Sequence, residues 1–106
     1  MIKQINDSSP FDDYRTGKVL LLFTTPGCAP CARQKMILDT LEHTLTTAGI
    51  QMAYVAAQDS PDMCQKYGIF AAPVMVLLEN GLQITKYQGA QGTKDFLGAL
   101  ETLKWL

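Results

Sequence analysis

The pentapeptide Val19-Leu20-Leu21-Leu22-Phe23 is apolar at every position. An extended chain sends alternate side chains to opposite faces, so both faces of this segment must be covered. It therefore predicts a central strand in a sheet with helices on both sides. Five residues on lies Cys28-Ala29-Pro30-Cys31, and from Pro30 to Ala48 the apolar residues Cys31, Leu38, Leu41, Leu45 and Ala48 recur at helical spacing. Gly49 supplies the helix stop. A buried strand thus feeds directly into a long helix.

The rest of the chain extends this pattern. Ile2 and Ile5 make a short apolar start, and Ser9-Pro10-Phe11-Asp12 reads as a helix start, with Ser9 as N-cap and Gly17 closing a short helix. Ile50 to Ala57 reads as a strand, and Ser60-Pro61-Asp62 to Gly68 as a helix with proline at its start and glycine past its end. Val74–Glu79 and Leu82–Gln88 are joined by Asn80-Gly81, the pair that most favours a two-residue hairpin turn. Thr93 can cap a last helix in which Phe96, Leu97, Leu100 and Leu103 share a face, with Lys104 near its negative end. The predicted order is β-α-β-α-β-α-β-β-α, an α/β fold with a central mixed sheet flanked by helices. At 106 residues, it is expected to form a single domain over positions 1–106.

Composition narrows the function. With 47% hydrophobic and 18% charged residues the chain can bury an ordinary core. A formal charge of −1 leaves no basic field for a phosphate backbone, so nucleic acid is not an expected partner. No apolar run approaches the roughly 20 residues that span a bilayer, and the first residues lack the features of a secretory signal. No membrane association and a cytoplasmic location are expected. Three cysteines are too few, and odd in number, for a disulfide-stapled secreted domain.

Cys28 falls where the strand hands over to the helix, near backbone N–H groups that have no intrahelical partner. Their partial positive charge favours a thiolate, and the thiolate is the nucleophile. Cys31, one turn along, is placed to resolve a mixed disulfide, and Pro30 stiffens the first turn without removing a needed hydrogen bond. A purely structural disulfide is the alternative; closing so short a loop restrains the unfolded chain by only roughly 2 kcal/mol.

Other candidates are weaker. Cys64 reads as a small buried hydrophobe, His43 as a solvated residue, Met36, Met52, Met63 and Met75 as core filling, and Trp105 as packed at the surface. Arg33 and Lys35 stand close enough in sequence to support a Cys28 thiolate, and equally read as part of a solvated helix face. A zinc site from Cys28, Cys31, Cys64 and His43 has suitable ligand types, but His43 lies roughly 18 Å along the helix from Cys31. No metal and no bound cofactor are expected.

The chain resembles the thioredoxin family. The resemblance rests on Thr25-Pro26-Gly27-Cys28-Ala29-Pro30-Cys31, on Lys66-Tyr67-Gly68-Ile69 followed by Ala71-Ala72-Pro73, on Glu79-Asn80-Gly81 and on Gln88-Gly89-Ala90, in the family's order. It implies a thioredoxin fold, Cys28 as catalytic nucleophile, Cys31 as resolving cysteine, and Pro73 as a cis-proline beside them. It also implies a substrate surface of Gly27, Ala29, Pro30, Ala72, Pro73 and Gly89, with the Ala72 backbone docking an extended segment by strand addition. The implied activity is protein disulfide reduction by a monomer, with disulfide-containing proteins as substrates and a thioredoxin reductase or a glutathione-type donor as electron source. Gly27 replaces the family's usual tryptophan and Ala29 its usual glycine. Leu22 stands at the position of its buried aspartate, and Tyr54 at that of the lysine partner. The approach through Thr24-Thr25-Pro26-Gly27 is similar to glutaredoxins, which makes a glutathione-linked reductase the second reading. A non-catalytic thioredoxin-fold adaptor module is the third.

Overall fold

The computed structural model describes residues 1–106. The strands are β1 (Lys3–Ile5), β2 (Lys18–Thr24), β3 (Ile50–Ala56), β4 (Val74–Glu79) and β5 (Leu82–Gln88); the helices are α1 (Ala29–Thr47), α2 (Pro61–Tyr67) and α3 (Thr93–Thr102). The strands form one sheet in the order β1-β3-β2-β4-β5. β2 runs parallel to β3 on one side and antiparallel to β4 on the other, placing Leu22 opposite both Tyr54 and Met75.

The all-apolar β2 segment is explained by two cores. Leu20 and Leu22 face Leu38 and Leu45 of α1 and Phe96 and Leu100 of α3. Val19, Leu21 and Phe23 point the other way, toward Tyr67 of α2, Tyr14 and Ile69. Asn80 and Gly81 have φ of 52° and 84°, which is the left-handed backbone a two-residue hairpin turn needs.

Two expectations fail at element ends. The helix from Ser9 is a single 3₁₀ turn, Asp12–Tyr14, because the Ser9 hydroxyl accepts the Asn6 N–H and closes a turn behind it rather than capping ahead. Gly92, not Thr93, is the N-cap of α3, and Thr93 is already helical. Lys104 follows the C-cap Leu103 at φ 62°, two residues past the end of α3 and close to its negative end.

That last geometry accounts for a third correction. The Lys104 N–H donates to Glu101 O and the Trp105 N–H to Leu100 O, both at 2.9 Å, the paired bonds of a Schellman helix end. The turn folds the indole back onto the core beside Leu100, leaving Trp105 only 3% exposed rather than at the surface. Met36 is the converse case, 68% exposed, because the buried stripe of α1 runs through Cys31, Gln34, Leu38 and Leu45 and misses it. Met75 is fully buried, while Met52 and Met63 pack at the core margins.

Candidate active site

Cys28 is the N-cap of α1, with extended backbone, and the two residues after it, Ala29 and Pro30, open the helix. Proline is tolerated there because N–H groups of the first turn have no intrahelical acceptor. Gly27 enters this turn at φ 69°, a conformation that costs glycine little and other residues much. Cys28 and Cys31 are joined as a disulfide with their Cα atoms 5.2 Å apart. The Cys28 sulfur also accepts the backbone N–H of Cys31 at 3.1 Å, so it does the capping work usually given to a hydroxyl or carboxylate oxygen. Cys31 is 3% exposed and Cys28 is half-buried.

The cysteine pair opens into a cleft of about 480 Å³ lined also by Pro26, Gly27, Ala29 and Lys35. Pro30 is half-buried and outside that lining. On the other side of the Cys28 sulfur, 3.9 Å away, is the carbonyl oxygen of Ala72. The Ala72-Pro73 peptide bond is cis. Pro73 O in turn accepts the Gly89 N–H at 2.8 Å, which ties the turn after β5 to the proline loop. The fold therefore brings Cys28, Cys31, Ala72 and Pro73 together, with Gly27 and Ala29 flanking them and Gly89 one hydrogen bond further out.

Leu22 and Tyr54, where the sequence resemblance implies a buried charged pair, carry no such charge. Both are buried in the core beneath α1. The Tyr54 hydroxyl donates to Asp39 Oδ1 at 2.5 Å and lies 3.2 Å from Lys35 O. Burial first, then the hydrogen bond and charge of Asp39, push the Tyr54 phenol well above the ordinary tyrosine range. Lys35 Nζ stands 5.1 Å from the centre of the Tyr54 ring. Arg33 points to solvent outside the cleft.

Gln34 escaped sequence reasoning. It is fully buried, its amide nitrogen donating to Gln91 O at 3.2 Å and its oxygen accepting the Gln91 N–H at 2.6 Å. This pair of hydrogen bonds pins the segment after Gly89 against α1. The available signal was a polar residue three positions after Cys31, within the buried helical stripe. Cys64 lies apart on α2, half-buried, its sulfur 3.8 Å from Ala57 O; burial and the charge of Asp7 push its thiol up. His43 is exposed on α1.

Comparison with known proteins agrees with this fold. The family model described as Thioredoxin matches residues 3–102. A thioredoxin from Chlamydia caviae is 26% identical over 97 residues, covering 92% of this chain and 92% of its own. A bifunctional thioredoxin reductase/thioredoxin from Mycobacterium leprae is 26% identical over 89% of this chain and 21% of its own length. Among solved structures, Malassezia sympodialis thioredoxin superposes with a TM-score of 0.82 at 21% identity, covering 96% of this chain and 90% of that one. The strand order and the three helices described above are those of a shared fold.

Proposed function

The chain belongs to the thioredoxin family, whose chemistry is thiol–disulfide exchange, and from that premise we propose that it works mainly as a reductase of protein disulfides. The observation that carries the reading is the 3.1 Å hydrogen bond from the Cys31 N–H to the Cys28 sulfur. In the dithiol form the same N–H, and the positive end of the α1 dipole behind it, stabilise a Cys28 thiolate. That thiolate attacks a substrate disulfide, forming a mixed disulfide and releasing one substrate thiolate. Cys31 then attacks the Cys28 sulfur, releases the second substrate thiolate and restores the Cys28–Cys31 bond.

Docking follows from the second side of the site. The half-buried Ala72 backbone stands beside the reactive sulfur, where an extended substrate segment can add by main-chain hydrogen bonds. Gly27 and Ala29 leave that approach without a large side chain. A thioredoxin reductase is the electron donor in this reading, supported by the relative in which the two functions share one chain. The protein acts as a monomer in a reducing compartment such as the cytoplasm.

The test is turnover of a protein disulfide with a dithiol donor. Cys28→Ser abolishes it, and Cys31→Ser accumulates a covalent protein–substrate disulfide. A Cys28→Ser variant that keeps wild-type turnover would overturn the reading.

A further inference from the structure

Cys31 must ionise before it can resolve the mixed disulfide, yet it is almost fully buried, and burial disfavours a thiolate. Of the residues lining its cleft, Lys35 is the one ionisable side chain apart from the two cysteines. It follows Cys31 by four positions on α1 and so shares its helix face. Lys35 forms no ion pair. The carboxylate placed to take it, that of Asp39 four residues on, instead accepts the Tyr54 hydroxyl, while the Tyr54 ring lies beneath the Lys35 ammonium. The Tyr54 hydroxyl also feels the charge of Glu42 on α1, which pairs with the N-terminal amine; β2 and the turn at 25–27 contribute no charge at this end.

We propose that Lys35, held by Tyr54, is the positioning residue whose charge stabilises the Cys31 thiolate during resolution. The inference rests on the oxidoreductase reading. Cys31 loses its proton to water in the cleft, and its thiolate attacks the Cys28 sulfur. The bond between Cys28 and the substrate sulfur breaks, and the leaving thiolate takes up a proton. Over the two exchange steps together the pair is oxidised by two electrons and the substrate disulfide reduced by two. Lys35 takes part in neither the proton nor the electron transfer; it lowers the energy of the anion between them.

The test is stopped-flow oxidation of the reduced protein by excess neutral dithiodipyridine, in a Cys64→Ser background, across pH. The first thiopyridone released reports attack by Cys28 and the second reports resolution by Cys31. Lys35→Met should move the midpoint of the second phase upward by about one pH unit, slowing it about tenfold near neutrality, and Lys35→Arg should restore the wild-type profile. Lys35→Gln provides the same comparison should the methionine variant fold poorly. Superimposed wild-type and Lys35→Met or Lys35→Gln profiles, or an arginine variant displaced as far as the neutral ones, would overturn the proposal. Absence of any second phase in the wild type would instead sink the oxidoreductase reading beneath it.

Discussion

The backbone N–H of Cys31 donates to the sulfur of Cys28, so one atom both ends the reactive side chain and caps α1. Chemistry and stability can be separated there by substitution. Both Cys28→Ser and Cys28→Ala remove the nucleophile and should abolish turnover. Serine keeps an N-cap acceptor and alanine does not, so the alanine variant should be about 1 kcal/mol less stable than the serine variant in urea unfolding under reducing conditions.

The end of α3 gives a prediction of opposite signs at adjacent positions. Trp105 closes the core beside Leu100, and Trp105→Ala should cost about 3–5 kcal/mol. Lys104 occupies the left-handed position of the same turn, where a side chain is unfavourable, and Lys104→Gly should raise stability by about 1 kcal/mol. Gly68 already fills the equivalent place after α2, at φ 68°. Thermal unfolding of the two variants checks both.

Three phenols, those of Tyr14, Tyr54 and Tyr67, are pushed above the ordinary tyrosine range, in each case chiefly by burial. In the unfolded chain they ionise near pH 10, while in the native state they hold their protons to higher pH. Above about pH 10 the unfolded state therefore binds fewer protons, and stability falls as pH rises. Their contribution is fully present below that pH. Tyr54→Phe should flatten the alkaline loss measured by urea unfolding between about pH 9 and 11.

Gln34 is expected to act on docking through Gln91. Gln34→Ala strips both hydrogen bonds from the segment after Gly89, at a cost of about 1–3 kcal/mol. Amide exchange at Gln91 should accelerate. KM for a protein disulfide should rise, with the rate toward a small disulfide near wild type.

What was legible in the sequence was what local chemistry decides. Val19–Phe23 declares a strand covered on both faces because no polar residue marks a solvent side, and Asn80-Gly81 declares its turn because few pairs tolerate two positive φ values. The spacing of Cys28 and Cys31 places them one helical turn apart wherever α1 begins. The misreadings are tertiary. Ser9 could have capped forward or closed a turn backward, and the choice lies in the fold around Tyr14. Trp105 looked terminal and became core because Lys104 turns the chain back. Ala72 reaches the Cys28 sulfur from 44 residues away, and only the family resemblance pointed to that contact. Tyr54 beneath Lys35 depends on the packing of α1 on β3, which neither residue announces.

The central claim is that Cys28 and Cys31 form a reversible redox couple poised to reduce protein disulfides. The direct measurement is to equilibrate the protein over a range of dithiol-to-disulfide ratios, trap free thiols with a mass tag and read both cysteines by mass spectrometry. The account predicts one reversible two-electron transition shared by the pair, lying well to the reducing side of the glutathione couple. A pair that stays locked across the range, or two cysteines that titrate independently, would contradict it.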